Sequence, residues 1–303
     1  MNETYPDGMD NRDEIRAFLK TRRDKITPQQ AGLPAFGDRR VKGLRRNEVA
    51  MLAGVSVEYY TRVERGNLGG VSDSVLDAIS QALQLDDVER SHLYTLARAA
   101  NTTPARAARR RPANSALRPG VQRIIDAMST VPAMVLSTRF DVVAANSMGR
   151  ALFSEMFEDP ENHSNTARFL FLSPSARRFY IDWQRIANGV VGALHIEAGK
   201  NPFDRELSNL VGELSTRSEA FRVLWGAQDV HVFRDGTKRF NHPVIGELEL
   251  DHESMDLGPN SGLTIAAYTA APGTAAADGL KLLASWSATT ADSEVSESSE
   301  SDR

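Results

Sequence analysis

LRRNEVAMLAGVSVEYYTRVERG, residues 44–66, decides how the first part of this 303-residue chain is read. Within it RNEVAMLA, residues 46–53, places Val49, Leu52 and Ala53 on one face of a short helix. Gly54 supplies a tight turn, and Ser56 is a good N-cap for a following helix, VEYYTRVERG, that stops at Gly66. Helix, short Gly turn, capped helix is the helix-turn-helix order, in which the second helix is of a size to lie in the major groove of duplex DNA.

Outward from this stretch the same periodicity continues. Ile15, Phe18, Leu19 and Ile26 define a helix over 11–26, with Asp13 and Glu14 in its first turn and basic residues in its last. A loop follows, broken by Pro28, Gly32, Pro34, Gly37 and Gly43. After the motif, 72–85 reads as a helix capped by Ser72 with Val75, Leu76, Ile79 and Leu83 inward, and 86–100 as another with Val88, Leu93 and Leu96 inward. The expectation is an all-α domain over 11–100 behind a flexible start at 1–10.

Charge supports a polyanionic partner for this domain. The formal net charge of −4 hides an asymmetry: residues 1–111 hold 19 Lys and Arg against 15 Asp and Glu, and the remainder holds 17 against 25. Arg16 to Arg65 alone hold 12 basic and 5 acidic residues, a local field that attracts a polyanion whatever the total. The candidate DNA contacts are Arg45, Arg46, Ser56, Val57, Glu58, Tyr59, Arg62 and Arg65. Arg62 is placed to read a guanine bidentately, Val57 to meet a thymine methyl, and Glu58 either to accept from cytosine or to sit on a solvated rim. Arg45, Arg46 and Arg65 suit phosphates, which position without reading sequence. Tyr60 and Val63 face the core, and Glu64 fixes the end of the motif.

NTTPARAARRRPANSALRP, residues 101–119, is rich in Ala, Arg and Pro without apolar periodicity and reads as an exposed linker. Beyond it, 121–128 is helical, 133–136 and 141–145 form a hairpin, and Asn146 caps a helix holding Met148, Leu152 and Phe153. Helical periodicity runs through 174–198, 204–215 and 218–225. From Val230 the pattern changes to strands, VHVFRD, TKRFNHP, IGELELDHESMDL and LTIAAYTA. Helices and strands segregated in this way give an α+β domain with an antiparallel sheet over 120–275. Residues 276–303 read as a helix remnant and an acidic tail that is structureless from about Ser287.

The motif, with its small Ala50, Gly54 and Ser56 and its Glu64-Arg65-Gly66 end, is similar to the Cro/repressor-type helix-turn-helix of the XRE family. The Gly/Pro loop and Val-Glu-Tyr-Tyr-Thr-Arg resemble its MmyB-like branch more narrowly. Position 46 departs from the wider family, where Gln is common. Ala-Arg-Phe-Leu-Phe-Leu (167–172), Phe-Arg-Val-Leu-Trp (221–225) and His-Pro-Val-Ile-Gly-Glu-Leu-Glu-Leu (242–250) look like the ligand-binding domain of MmyB-like regulators, a PAS-like fold. Gln228 stands where that family commonly has His. The resemblance implies a transcriptional regulator of operator DNA with a fatty-acid-like ligand, no cofactor and no catalytic role.

An apolar ligand needs aromatic walls and one polar anchor. Phe153, Phe169, Phe171, Trp183, Phe221, Trp225 and Phe240 are available as walls and Arg168 or His242 as anchor. The same aromatics at helical spacing also serve as core, Arg168 also suits an internal salt bridge, and His242 before Pro243 also suits a turn. The alternative for this domain is a dimerisation or protein-interaction module without a sensing role. A homodimer is expected, because one small reading head gives limited specificity.

Other classes find little support. Zero Cys excludes thiolate zinc and iron–sulfur sites, and no GxSxG, HExxH or phosphate-cradling Gly loop occurs. The six His residues lack metal-ligand spacing, although His231, His242 and His252 fall on strands that a sheet could bring together. No apolar run is long enough for a membrane span, and the first residues offer no export signal, so a cytoplasmic, nucleoid-associated protein is expected.

Overall fold

The structure, a computed structural model, describes residues 11–34, 39, 41–101, 117–230, 235–258 and 261–301, with side chains through 289. In chain order the first elements are helices α1 (Asn11–Lys25), α2 (Arg46–Leu52), α3 (Val57–Glu64), α4 (Asp73–Ala82), α5 (Asp87–Ala100) and α6 (Pro119–Asp126). Strands β1 (Ala133–Ser137) and β2 (Val142–Ala145) precede α7 (Ser147–Leu152), α8 (Ser154–Glu158), α9 (Thr166–Leu172), α10 (Ala176–Phe179), α11 (Trp183–Lys200), α12 (Arg205–Arg217) and α13 (Glu219–Gly226). Strands β3 (Asp235–His242), β4 (Gly246–Asp256) and β5 (Leu263–Thr269) and helix α14 (Ala275–Ser301) complete the chain.

Two compact units result, Met1–Arg111 with Asn188–Val232, and Pro112–Ala187 with Phe233–Arg303. Residues 188–232, which the sequence places in the second domain, therefore pack within the first unit. Its core joins Ile15, Phe18 and Leu19 of α1 to Val49, Tyr60, Val63, Leu76, Ile79, Leu93 and Leu96, and includes Val230. The five helices expected over 11–100 all form. Asp86 caps α5 by accepting from the Glu89 amide at 2.8 Å while Glu89 accepts in return from the Asp86 amide at 3.1 Å. Ser72 occupies the cap position of α4, but its hydroxyl bonds Ser74 instead of the helix backbone. Leu52, expected inward, is 38% exposed, because a helix of seven residues has only two turns and Val49 and Ala50 already fill the inner one.

The second unit is built on a five-stranded antiparallel sheet in the order β2-β1-β5-β4-β3. The expected hairpin is β1–β2, with Met134 opposite Ala145. Asn146 holds this end together: its Oδ1 accepts from the Gly149 and Ala133 amides at 2.7 and 3.0 Å, and its Nδ2 donates to Met128 and Val131 carbonyls at 2.9 and 2.8 Å. With its side chain almost wholly buried, all of this amide's bonding capacity is used by the chain itself.

Residues 166–172, to which the sequence reading assigns no element, form helix α9, and Asn165 caps it through the Ala167 and Arg168 amides at 3.0 and 2.9 Å. One reading is corrected. The tail expected to be structureless from Ser287 continues α14 to Ser301; Leu280 and Leu283 bury its first turns, and the Ala, Ser and Glu that follow are compatible with propagation. The flexible start 1–10, most of the 101–119 linker, His231 and most of the strand expected at 230–235 lie outside the described residues.

Candidate nucleic-acid interface and ligand-binding residues

The turn of the motif forms as the sequence requires. Gly54 sits at φ +64°, a left-handed conformation that glycine adopts without a Cβ penalty, and Ser56 Oγ accepts from the Tyr59 amide at 3.0 Å to start α3. One face of α3 is sealed: Tyr60 and Val63 are fully buried and Glu64 is 1% exposed. The other face carries Val57, Glu58 and Arg62, all exposed, with Arg65 just after it. Arg45, Arg46 and Ser56 are exposed as well, so seven of the eight candidate DNA contacts face solvent around α3. Tyr59 is half-buried against the core edge, and the Arg62 guanidinium lies 4.8 Å from its ring centroid. Tyr59 thus supports Arg62. Met51, 62% exposed before the turn, extends the surface with an apolar group that the periodicity did not single out.

Buried charge locks the motif. Glu64 Oε1 accepts from Arg23 Nε at 2.7 Å, its other oxygen accepts from Arg46, and Arg23 also donates to the Leu44 carbonyl at 2.7 Å. One carboxylate ties the end of α3 to α1 and to the first residue of α2. Arg46 is therefore held at its Nε while its guanidinium stays half exposed. A second clamp places Arg39 on both Glu48 oxygens at 2.7 and 2.8 Å, and these bonds hold the Glu48 carboxyl down at about 2.

On α1 and α5 the same unit has a second polar surface, facing residues 188–232. His195 of α11 places Nδ1 2.7 Å from Glu14, stacks on Trp225 at 3.7 Å between centroids, and sets Nε2 3.1 Å from the Trp225 carbonyl. Burial pushes the Glu14 carboxyl up, but the His195 hydrogen bond and charge bring it below its ordinary value. Arg22 bonds Glu89, the Gln228 carbonyl and Asp229, which Lys25 also pairs. Gly199 permits the close approach of α11, since a Cβ there would lie 3.0 Å from His92 Cε1 and 3.1 Å from Leu96 Cδ2. Trp225, expected in a ligand wall, stacks instead on His195 and Phe221.

The second unit concentrates aromatic side chains on one face of its sheet. Phe153, Phe179, Phe240 and Tyr268 meet at centroid distances of 5.2 to 6.0 Å, and Phe169 joins through Phe179 at 5.8 Å. Phe153 and Phe169 thus belong to one aromatic cluster, joined through Phe179. Trp183 lies beside Phe171, donates Nε1 to the Leu170 carbonyl at 3.0 Å and is covered by Arg177 at 3.9 Å. Arg168 is half-buried at the start of α9. His242 is not an open anchor: Nδ1 accepts from the Val244 and Ile245 amides at 3.2 Å each, and Nε2 lies 3.0 Å from the Ala151 carbonyl. Nδ1 thus serves the β3–β4 turn while Nε2 ties it to α7, and burial lowers the imidazole's affinity for a further proton.

Lys238 and His252 also stand on the aromatic face, with the Ser254 hydroxyl 3.5 Å from His252 Nε2. Alternation along β3 and β4 puts Lys238, Phe240, Leu250 and His252 on one face, with His252 opposite Tyr268 on β5. Lys238 Nζ lies 5.4 Å from the Tyr268 centroid, and His252 5.1 Å from the same ring. Arg185 reaches the neighbouring Thr237 carbonyl. Burial, reinforced by Arg185, lowers the Lys238 ammonium to about 7, and burial with Lys238 and Arg185 lowers His252 to about 3. A cation–π contact contributes about 0.5–2 kcal/mol, less than the several kcal/mol that desolvating an ion costs, so Tyr268 alone does not compensate Lys238. The sequence signal was the Lys-x-Phe-x-His alternation of β3.

Among the described residues no three His, Asp or Glu side chains are grouped to hold a metal ion, and no helix is long and apolar enough to cross a membrane. Residues 117–283 match the family model described as MmyB-like transcription regulator ligand binding domain, and residues 14–93 match that of a helix-turn-helix domain. No curated protein matches the chain. The 188–232 segment that packs on α1 and α5 lies inside the first of these matches.

Proposed function

Since the chain belongs to the MmyB-like transcription regulators, we propose that it reads operator DNA through α3 and responds to a hydrophobic, fatty-acid-like small molecule taken up by a PAS-like fold built on the five-stranded sheet. One observation carries the DNA half of this reading: α3 buries Tyr60, Val63 and Glu64 and leaves Val57, Glu58 and Arg62 outward on a capped helix of groove size. Arg62 reads a base edge; Arg45, Arg46 and Arg65 hold phosphates, Arg46 from its exposed side while Glu64 fixes its orientation. The hairpin, the intervening helices and the three closing strands support the PAS-like assignment, and the aromatic face supports an apolar ligand. The protein acts in the cytoplasm on nucleoid DNA as a homodimer whose two heads read paired half-sites.

The test is a titration of the full chain onto duplex DNA from its own upstream region at two salt concentrations, beside Arg62→Ala. Sequence preference lost in the variant, with the salt slope kept in both, supports the reading. Absence of salt-sensitive binding overturns it.

A further inference from the structure

We propose that residues 188–232 set the phosphate contact of Arg46: they grip α1 at both ends, and α1 passes that grip through Arg23 and Glu64 to Arg46, which makes Arg22 and Asp229 positioning residues for DNA binding. This rests on the DNA-binding reading above and names how that surface is regulated, because 188–232 lie within the matched ligand-binding region yet pack in the same unit as the motif. The first grip is at the start of α1, where Glu14 meets His195 Nδ1 at 2.7 Å. The second is at its end. Arg22 bonds the Gln228 carbonyl and lies 3.1 Å from Asp229, which also pairs with Lys25. Gln228 stands at φ +55°, a left-handed conformation that a residue other than glycine seldom adopts, and Val230 just beyond it joins the core formed by α1 and the motif helices.

Arg22 and Arg23 are neighbours on α1 but hold different partners. Successive residues of a helix point about 100° apart, so Arg22 addresses Glu89 of α5 and residues 228–229, while Arg23 addresses Glu64 and the Leu44 carbonyl, each at 2.7 Å. The two residues are 6% and 7% exposed, so water does not replace a partner that moves away. The last turn of α1 therefore cannot shift toward one set of partners without stretching its bonds to the other. Glu64, itself buried, carries the constraint onward, since its second oxygen accepts from Arg46 Nε. The rest of the Arg46 guanidinium stays half exposed, and a fixed orientation spares it part of the rotamer freedom it would otherwise lose on meeting a phosphate. From Asp229 to Arg46 each link is a charge-assisted hydrogen bond or ion pair, except the covalent step from Arg22 to Arg23.

Fluorescence anisotropy of the full chain on a labelled duplex from its own upstream region, between about 50 and 200 mM salt, tests this. Arg22→Met strips Glu89 of its buried partner and can unfold the unit, so the informative variant is Asp229→Ala, at a partly exposed residue, which keeps the Arg22–Glu89 pair. Asp229→Ala is expected to weaken binding about threefold to tenfold and to lower the salt slope by about one, the signature of a lost phosphate contact. Arg46→Ala is expected to lower the slope alike, and adding Asp229→Ala to it to cost nothing further, whereas the losses from Asp229→Ala and Arg62→Ala multiply. Asp229→Asn, which keeps an acceptor for Arg22, is expected to restore most of the affinity. A unit that is merely destabilised loses affinity in every background, so independent losses from Asp229→Ala and Arg46→Ala overturn the relay, as does an unchanged affinity or salt slope in Asp229→Ala. An unmodified chain without salt-sensitive DNA binding overturns the DNA-binding reading itself, and the relay with it.

Discussion

His195 Nδ1 stands 2.7 Å from a Glu14 oxygen, although the two residues are 181 positions apart, and both side chains are buried. This pair joins the first helix of the DNA-binding domain to a helix that the ligand-binding family model includes. Replacing Glu14 by Ala leaves a buried imidazole nitrogen without its partner, which costs about 1–3 kcal/mol. Glu14→Ala is expected to lower the urea midpoint without changing the dependence on denaturant, whereas Glu14→Gln, which keeps a hydrogen-bonding group at the site, loses less. Equal midpoints for Glu14→Ala and the unmodified chain sink the prediction.

His92 gives the same region a pH dependence. Its ring meets Phe18 edge-on at 5.0 Å, neither nitrogen has a hydrogen-bond partner, and burial lowers it from 6.5 to about 4, opposed by Glu14 and reinforced by His195, Arg22 and Lys200. The unfolded chain therefore binds a proton here at a higher pH than the folded one. Stability from this residue is complete above about 6.5 and declines as the pH falls toward about 4. His92→Phe keeps the apolar packing and removes the titration, so its melting temperature is expected to fall less between pH 7 and about 4.5 than that of the unmodified chain. Parallel acid profiles of the two would show that His92 does not titrate in this way.

Short-range signals made the DNA-binding helices legible. Gly54, Ser56 and Gly66 punctuate the motif, and Tyr60 and Val63 follow the 3.6-residue period onto the buried face. Leu52 broke that reading because the period says which residues share a face but not how far a two-turn helix extends over its core. Contacts such as Arg22 to Asp229 and Glu14 to His195 had no sequence signal, since each residue alone reads as an ordinary surface charge or core histidine. His242 shows both sides of this: its Nδ1 bonds within a local turn that His before Pro suggests, while its Nε2 meets the Ala151 carbonyl 91 positions away, which no local pattern displays.

Gly66 ends α3 where two constraints coincide. It sits at φ +93°, and a Cβ there would fall 2.5 Å from the Arg12 carbonyl oxygen and 2.6 Å from its Cα. Backbone strain of this kind costs on the order of 1–3 kcal/mol, and relief of the clash requires moving α1. Gly66→Ala is expected to destabilise the DNA-binding unit by at least about 2 kcal/mol. Gly70→Ala is the control, since that residue is at φ +74° but a Cβ there meets nothing within 4 Å. Strain without a clash should cost less, and equal losses in thermal unfolding would show that the Arg12 contact has no part in it.

The Arg62 guanidinium rests 4.8 Å from the Tyr59 ring, which is itself half-buried against the core. An exposed arginine otherwise surrenders rotamer freedom when it grips a base, and stacking on a fixed ring removes part of that loss in advance. Tyr59→Ala is therefore expected to weaken operator binding through Arg62 even where Tyr59 touches no base. In a double-mutant cycle on operator affinity, Arg62→Ala alone should cost about 1–3 kcal/mol. Tyr59→Ala should cost less, and the two should be coupled by about 0.5–1 kcal/mol, the worth of an exposed cation–π contact. Strict additivity of the two losses would mean that Tyr59 meets the DNA independently, and the supporting role assigned to its ring would fall.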